Sequence, residues 1–255
     1  MVPLFENVPL LNTLRDSVFL SATITEISPL TPRMRRIRVS GDQLRTMAWK
    51  PGQHIRLQVA GLLDSMLRLH PHDALRTYSI YDADSERGSL DIAMLDHDGE
   101  SGSQTPARRW ASAARVGDHV TMTRPQGSFI VRPDAPYHLF VGEETASVAF
   151  AAMVRAVPDE TPVYGVVEGA HESDHIALSR NLIHVERGDT TAADSVVLAQ
   201  AVRELALPDR PGVAYLAGEA RTAQTVRRIL VEERGWDRRN IRTKPFWTPG
   251  RRGME

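Results

Sequence analysis

The run Arg76-Thr77-Tyr78-Ser79 carries the side chains of this chain that are best suited to chemistry. It lies inside a predicted strand, so alternation places Arg76 and Tyr78 on one face and Thr77 and Ser79 on the other. An arginine can hold a pyrophosphate, an aromatic ring can lie against the flavin ring system, and a hydroxyl can bond the flavin N5 atom. The run therefore suits a bound flavin. The alternative is an ordinary strand with a surface arginine and a half-buried tyrosine.

The run from His171 to His175 reads His-Glu-Ser-Asp-His, which has the spacing of a zinc-protease motif. That motif needs both histidines on one face of a mostly apolar helix, together with a third ligand. Here the run follows a buried-type strand and a Gly169-Ala170 turn, and its middle is polar. We therefore interpret it as a polar loop and predict no metal site there. We expect His70 and His72, in a long loop, to be exposed to solvent.

Composition narrows the chemistry further. The 255 residues include no cysteine, which excludes disulfides, iron–sulfur clusters, Cys-ligated zinc and a thiol nucleophile. The 31 basic and 32 acidic residues give a net charge of −1, so nucleic acid is not an expected partner. Redox chemistry would therefore use an organic cofactor or a non-thiolate metal site. Among the basic residues only Lys50 and Lys244 are lysines, which makes them candidates for a task that arginine cannot perform.

The chain also shows no sign of insertion into a membrane. No run approaches the roughly 18 apolar residues of a spanning helix. The first twenty residues lack the basic region and the small-residue cleavage site of a signal peptide. We therefore expect a cytoplasmic protein that does not span a membrane.

The first half of the chain has the pattern of short strands. Six β-branched or alternating segments are separated by Gly, Pro, Asp and Ser, which predicts an antiparallel barrel. These segments are Val18–Ile27, Met34–Val39, His54–Val59, Leu75–Tyr81, Leu90–Leu95 and His119–Thr123. A helix is predicted from Thr105 to Arg115, with Thr105 as its N-cap. The long loop Gly61–Ala74 is predicted to be a mobile flap.

The second half alternates strands with helices, which predicts a parallel, doubly wound sheet. The predicted strands are Leu139–Gly142, Pro162–Val167, Asn181–Val185 and Val213–Ala217. The predicted helices are Thr145–Val157, Ala192–Leu205 and Glu219–Arg234. A proline-rich joint at 132–137 separates the two patterns, so we place the domains at 1–134 and 135–255.

Further motifs follow one another in a specific order along the chain. They are His97, Trp110-Ala111, Gly117-Asp118, Arg124-Pro-Gln-Gly-Ser-Phe129, Gly142-Glu-Glu-Thr-Ala146, Ala217-Gly-Glu-Ala220 and Lys244-Pro-Phe-Trp-Thr-Pro-Gly250. With the Arg76 run, and over nearly the whole chain, this order resembles the siderophore-interacting proteins. These are FAD-dependent ferric-siderophore reductases of the ferredoxin–NADP reductase superfamily. The resemblance implies an N-terminal FAD-binding β-barrel domain followed by a C-terminal α/β domain that binds a nicotinamide cofactor.

The resemblance also implies which residues hold FAD. The Arg76–Ser79 run matches the family's Arg-x-Tyr-[Ser/Thr], which binds the flavin phosphates, ring and N5. The family's His-Gly-x-x-Gly-Pro stretch is longer here. The resemblance therefore implies, near the pyrophosphate, His97 and the backbone amides of Ser103, Gln104 and Thr105. It further implies Thr145 beside the flavin. Family members commonly end in Tyr-Trp-Arg-x-Gly; this chain retains Trp247, and the arginine is shifted to Arg251 or absent.

On the nicotinamide side the resemblance implies Gly142, Gly218 and Glu219. The Gly-x-Gly-x-x-Gly fingerprint of dinucleotide sites is missing. Glu168 ends a predicted strand, where it could hold a ribose diol and favour NADH, or be an ordinary loop carboxylate. A set of helix arginines could meet a 2′-phosphate or form a solvated face. These are Arg221, Arg227 and Arg228. The sequence leaves open whether the donor is NADPH or NADH.

The resemblance implies an NAD(P)H-dependent reductase that releases iron as Fe(II) from ferric siderophores. Because such chelates are often anionic, Lys50, Arg124 and Lys244 are candidates for binding them, although each could be a plain surface charge. No protein acid or base is required at the iron. We expect a monomer, with a siderophore importer as a candidate partner. The alternatives are a flavin or quinone reductase with another acceptor, and a flavoprotein that binds siderophore without turnover.

Overall fold

The first half of the chain closes into an antiparallel barrel. The structure, a computed structural model, describes residues 19–60, 74–95 and 106–250. The six barrel strands are arranged in the order β1-β2-β5-β4-β3-β6. They are β1 (Phe19–Thr31), β2 (Met34–Ser40), β3 (His54–Gln58), β4 (Leu75–Asp84), β5 (Ser89–Leu95) and β6 (His119–Thr123). Two helices accompany them, α1 (Asp42–Arg45) and α2 (Pro106–Ala113).

Strand alternation explains why these segments form a barrel. Along β2, Ile37 and Val39 are buried in the barrel core, while Arg36 and Arg38 lie on the opposite face. Arg38 donates two hydrogen bonds, of 2.7 and 2.8 Å, to the carboxylate of Asp91 on β5. The barrel therefore places apolar side chains inside and paired charges outside.

The second half forms a five-stranded parallel sheet in the order β11-β10-β7-β8-β9. Its strands are β7 (His138–Glu143), β8 (Val163–Gly169), β9 (Ile183–Glu186), β10 (Val213–Glu219) and β11 (Ile241–Trp247). Its helices are α3 (Glu144–Arg155), α4 (Val196–Glu204) and α5 (Ala220–Arg228), which continues into a π-helical turn at Ile229–Glu233. Short 3-10 turns lie at Glu172–Asp174 and Arg238–Asn240.

Strand order reverses between β7 and β10. The chain passes from β7 to β8 and β9 on one side, then returns to β10 and β11 on the other. In open parallel sheets, ligands bind at the carboxyl ends of the strands where this reversal occurs. We therefore expect a ligand site at the carboxyl ends of β7, β10 and β11.

The barrel and the sheet share a buried interface. Met34 and Ala93 of the barrel pack with Val148 and Ala151 of α3 and with Ile176. Arg155, at the end of α3, lies over the ring of Tyr81 on β4. These contacts join α3 of the second half to strands of the barrel.

The predicted fold class is confirmed, and most elements lie within a few residues of their predicted bounds. Helix α4 begins at Val196 rather than Ala192, because Ser195 caps it by accepting from Leu198 N at 3.0 Å. Two elements were not predicted, the short α1 and strand β11. The predicted flap falls almost wholly outside the described residues. No helix in the described part of the chain combines the length and apolarity that crossing a membrane demands.

Candidate functional site

Two glycines line the carboxyl end of the sheet where the strand order reverses. A Cβ at Gly142 would lie 2.5 Å from both Ala146 Cβ and the Ala217 carbonyl oxygen. Gly218 has a φ of +105°, and a Cβ there would lie 2.6 Å from a carboxylate oxygen of Glu143. Neither position has room for a side chain. The two glycines therefore let β7, β10 and the start of α3 pack closely where the strand order reverses, at the crevice expected for a ligand.

Glu143 joins three of the elements that meet at the crevice. It is buried and caps α3, because one carboxylate oxygen accepts from Thr145 N at 2.7 Å. The other oxygen accepts from the Thr145 hydroxyl and, at 2.9 Å, from the indole nitrogen of Trp247. Thr145 and Trp247, both predicted to lie beside a flavin, are thus held together by one carboxylate.

Burial raises the pKa of Glu143 to about 7, with the adjacent Glu144 adding to the effect and the hydrogen bonds from Thr145 and Trp247 opposing it. A carboxyl group that titrates near neutral pH is typical of functional sites. Glu143 was not predicted as a site residue. An acidic residue between a predicted strand and a predicted helix was the available signal, since that is the N-cap position.

Glu219 has a similar role at the next helix. It is buried, caps α5 by accepting from Thr222 N at 2.8 Å, and accepts from the Thr248 hydroxyl at 3.0 Å. Burial alone would raise its pKa, but these hydrogen bonds outweigh it and the pKa falls below its ordinary value. Glu219 is therefore an ionised carboxylate at the crevice. Its predicted contact with nicotinamide stays a prediction.

Glu168 has a role that neither sequence interpretation anticipated. It is the next-to-last residue of β8 and is fully buried. It accepts a hydrogen bond from the Ser195 hydroxyl and lies 3.6 Å from the Arg187 guanidinium. Arg187 also donates hydrogen bonds of 2.6 and 2.5 Å to the two carboxylate oxygens of Glu144. Glu168 is thus inaccessible to a ribose and is not a loop carboxylate. Both interpretations are wrong because burial pairs it inside the protein.

The three arginines that could meet a 2′-phosphate all lie on α5. Arg221 is exposed and forms an ion pair with Asp194 at 3.2 Å. Arg227 and Arg228 are exposed in the last turn of the same helix. A solvated helix face describes these positions, and the structure gives no contact that favours a phosphate.

The pairing of β3 with β4 sets the directions of the Arg76 run. Leu57 lies opposite Arg76, and Ile55 lies opposite Tyr78. Because Leu57 and Ile55 are buried in the barrel core, Arg76 and Tyr78 share that inner face. Tyr78 packs partly against the core, and burial raises its pKa. Arg76 donates a hydrogen bond to the Leu75 carbonyl at 2.9 Å.

Thr77 and Ser79 lie on the other face of β4. Ser79 is directly opposite His54 of β3. The Nδ1 atom of His54 lies 2.6 Å from the Nζ atom of Lys244 on β11. This contact places the Ser79 face of the barrel against the carboxyl end of the parallel sheet. His54 was not predicted as a site residue, because its partner is far away in the sequence.

Hydrogen bonds near His54 also connect the segments that carry Lys50 and Arg124, the other two residues predicted to bind the substrate. The Gln53 side chain accepts from Lys50 N at 2.8 Å and donates to the Gly127 carbonyl at 3.4 Å. The exposed Lys50 and Arg124 therefore belong to two segments that meet beside the His54–Lys244 contact. The structure thus groups the segments of all three residues predicted to bind an anionic substrate.

The His171–His175 segment forms a single 3-10 turn between β8 and β9 instead of an α-helix. His171 caps the turn, and the His175 ring stacks on His184 with centroids 4.1 Å apart. The geometry of the zinc-protease motif is therefore absent. Over residues 19–60, 74–95 and 106–250, no cluster of three or more His, Asp or Glu side chains could hold a metal ion.

Several predicted residues lie outside the described residues. They are His70, His72, His97, Ser103, Gln104, Thr105 and Arg251. Their predicted roles stay predictions.

Two family models match the chain. The siderophore-interacting FAD-binding domain matches residues 66–129, and the siderophore-interacting protein model matches residues 135–250. The chain is 26% identical over 243 residues to the ferric vibriobactin reductase ViuB of Vibrio cholerae, covering 87% of this chain and 86% of ViuB. It is 24% identical over 238 residues to the mycobactin import ATP-binding/permease protein IrtA of Mycolicibacterium smegmatis. That match covers 90% of this chain but about a quarter, 26%, of IrtA.

Solved structures show the same fold. The siderophore-interacting protein SipS from Aeromonas hydrophila superposes with a TM-score of 0.76 at 21% identity, covering 92% of this chain and 94% of SipS. A siderophore utilization protein from T. fusca also gives a TM-score of 0.76 at 21% identity, with coverage of 93% and 95%.

Proposed function

The chain belongs to the siderophore-interacting protein family, and from this premise we propose that it is an NAD(P)H-dependent, FAD-containing reductase of ferric siderophores. The similarity to ViuB, a ferric vibriobactin reductase, supports this activity. In the proposed reaction the nicotinamide cofactor supplies a hydride, and iron leaves the chelator as Fe(II). The division into domains at 1–134 and 135–255 is part of the same proposal.

The residues present are compatible with a flavin between the barrel and the sheet. When bound, FAD accepts a hydride and passes on single electrons. Ser79 and Thr77 lie on the face of β4 shared with His54, on the side of the sheet's carboxyl end. At that end Gly142 and Gly218 let β7, β10 and the start of α3 pack closely together. The strand order reverses there, which is where ligands bind in open parallel sheets. We assign the flavin to this place, beside Thr77 and Ser79 of β4 and Thr145 and Trp247 of the second half. The family resemblance adds Arg76 and Tyr78, which lie on the inner face of the same strand.

The crevice between β7 and β10 is the proposed entry for the nicotinamide. Both helix N-termini beside it are capped by buried carboxylates, Glu143 and Glu219. Each carboxylate accepts from a first-turn amide, Thr145 N or Thr222 N, and its negative charge disfavours a phosphate at that helix end. The dinucleotide pyrophosphate is therefore expected to bind elsewhere, which agrees with the missing glycine-rich fingerprint. Gly142, Gly218 and Glu219 are assigned to the nicotinamide itself.

The ferric siderophore is assigned to the basic surface made by Lys50, Arg124 and Lys244. Positive charge attracts an anionic chelate and raises its rate of encounter. We further propose that the chain acts as a monomer in the cytoplasm. The similarity to part of IrtA supports a siderophore importer as a partner.

One observation carries the proposal: the His54–Lys244 contact joins the Ser79 face of the barrel to the crevice and the basic surface. The test is an absorbance spectrum of the purified protein, followed by anaerobic titration with NADH and with NADPH. We expect a flavin spectrum that is bleached by one donor and restored by a ferric siderophore. A flavin that keeps its colour with both donors would contradict the reductase and favour a carrier. A bleached flavin restored only by quinones would favour the other acceptor class.

A further inference from the structure

Lys244 and His54 form a side-chain contact between the two halves of the protein. The two residues are 190 positions apart and join β11 of the sheet to β3 of the barrel, with Nζ and Nδ1 at 2.6 Å. Burial lowers the pKa of Lys244 to about 8. Burial first, then the charges of Lys244 and Arg56, lower the pKa of His54 to about 4. His54 is therefore neutral at physiological pH.

The protonation states follow from these contacts. An ammonium group has only N–H donors, so the lysine donates and the neutral His54 accepts at Nδ1, with its own proton on Nε2. This contact takes one of the three donors, and the ammonium also lies over the Phe246 ring, 5.9 Å from its centroid. Among the described residues it makes no other hydrogen bond, so donors remain for a ligand. A neutral amine still has N–H donors. The hydrogen bond can therefore survive when the lysine loses a proton, and the side chain stays in place.

The backbone around the pair is closely fitted to it. His54 and Gln126 exchange backbone hydrogen bonds of 3.0 and 2.9 Å. Gly127 has a φ of +107°, and a Cβ there would lie 2.8 Å from the His54 ring and 3.6 Å from Lys244 Nζ. A side chain at 127 would displace the histidine. The geometry of the pair is thus built into both halves of the protein.

Lysine at position 244 is unusual for this chain. Only two of the 31 basic residues are lysines, so the position departs from the strong arginine preference of the chain. Arginine remains charged at any physiological pH, whereas a partly buried lysine can release its proton near neutrality. Proton release is the property that distinguishes the two side chains at this site.

We propose that Lys244 is a proton donor to the siderophore: as the iron of the bound chelate is reduced, Lys244 protonates a chelate oxygen, and His54 holds the lysine in position. This inference rests on the proposed function and names a chemical step within it. The substrates it favours are catecholates and hydroxamates, whose oxygens become strongly basic once they no longer bind iron(III).

Iron(III) takes up one electron, supplied by the reduced flavin, and becomes iron(II). An N–H bond of the Lys244 ammonium breaks and an O–H bond forms on the chelate oxygen. The iron–oxygen bond breaks, and its electron pair remains on that oxygen. Lys244 becomes a neutral amine and regains a proton from water before the next turnover.

The charges near the pair are compatible with this cycle. His54 and Arg56 lie on β3, and Lys244 is on β11. Glu143 and Glu219, at the ends of neighbouring strands, are hydrogen-bonded to Trp247 and Thr248. Within the described part of the chain, no carboxylate lies within 4 Å of the Lys244 ammonium. An ion pair that would hold the proton on the lysine is therefore absent there.

The test compares Lys244→Arg, which keeps the charge but cannot release a proton, with the wild type. The reduced, flavin-loaded full chain is mixed with a ferric triscatecholate, and a chromogenic chelator captures the iron(II). Flavin absorbance reports electron transfer in the same mixture. Hexacyanoferrate(III), whose reduction needs no proton, is the control acceptor.

We expect Lys244→Arg to slow iron(II) capture about 100-fold, the usual size of a general-acid effect. The ratio of this capture rate to the rate of hexacyanoferrate(III) reduction should fall by the same factor, because the second reaction needs no proton. In the wild type, capture should slow as the pH rises through about 8, and in Lys244→Arg this dependence should vanish. His54→Leu should also slow capture, and His54→Gln, which keeps an acceptor, should restore it. Capture by Lys244→Arg at the wild-type rate would overturn the proposal.

A measurement without flavin gives an independent answer. Because the chain has only two lysines, selective ¹⁵N-lysine labelling gives two side-chain signals, and Lys244→Arg assigns them. We expect the Lys244 signal to titrate near pH 8; titration at its ordinary value of 10.5 would overturn the proposal. If the reduced wild type passes no electrons to any ferric chelate, the proposed function itself fails. If the reduced wild type does pass electrons to a ferric chelate, and Lys244→Arg and His54→Leu release iron(II) at the same rate, only the role of Lys244 as proton donor fails.

Discussion

Replacing Arg187 by methionine should strongly destabilise the fold. The Arg187 side chain is 8% exposed and lies between Glu144, 2% exposed, and Glu168, fully buried. It donates two hydrogen bonds to Glu144 and lies 3.6 Å from Glu168. Methionine is similar in length but has neither charge nor donors. The substitution therefore leaves two buried carboxylates without their main cation.

Removing one partner of a buried ion pair costs about 3–5 kcal/mol. The lower end applies here, because Arg33 remains 3.9 Å from Glu144 and the Ser195 hydroxyl still donates to Glu168. We therefore expect a loss of about 3 kcal/mol in the free energy of unfolding at neutral pH. For a chain of this size, that corresponds to a fall in Tm of about 6–12 °C.

Urea denaturation at several pH values checks this expectation. Burial already raises the pKa of Glu168, and removal of Arg187 raises it further. A carboxyl with a raised folded pKa binds more protons when folded, so the variant loses stability as pH rises above about 4.5. The defect should be largest at neutral pH and shrink toward pH 5 or so.

A matched control is Arg239→Met, which breaks an exposed Arg239–Asp237 pair of 2.7 Å. Exposed pairs contribute little, so its denaturation midpoint should equal that of the wild type. If Arg187→Met also unfolds at the wild-type midpoint, the reasoning about the buried cluster is refuted.

Three further predictions concern the crevice and the barrel. In the wild type, Trp247 fluorescence should change near pH 7 as Glu143 titrates, Glu143→Gln should abolish this change, and Trp247→Phe should remove the signal itself; a change that persists in Glu143→Gln would contradict the assignment. Gly218→Ala should lower thermal stability more than Gly117→Ala, because both have positive φ but only at Gly218 does the new Cβ meet a neighbour, 2.6 Å away; equal losses would show that backbone strain alone acts. Arg76→Ala should weaken FAD binding about tenfold or more by loss of charge-assisted hydrogen bonds; full FAD occupancy after purification would contradict the assignment.

Much of the fold could be predicted because local patterns of apolar and polar residues determine most of its strands and helices. Apolar residues alternate along β2, where Ile37 and Val39 face the core, and such alternation is visible without any partner strand. Strand β11 could not be predicted in this way. It contains Pro245 and few apolar residues, and it is a strand because β10 pairs with it in parallel register. Tertiary pairing there outweighs local propensity.

The candidate site, too, could be predicted only in part. The order of its motifs, including Arg76–Ser79 and Gly142–Ala146, is a property of the sequence and indicated the family. The partner of each charged side chain is not. Glu168 suited a ribose at its strand end, but the fold buries it beside Ser195 and Arg187.

The sequence by itself determined the fold class, the absence of thiol chemistry and the rarity of lysine. These depend on residue types and on short periodic patterns. Only the tertiary structure decided that Lys244 meets His54, that Glu143 holds Trp247, and that Glu168 is unavailable to a ligand. The physical reason is that burial and hydrogen bonding set the protonation and accessibility of a side chain. Both depend on contacts between residues far apart in the chain.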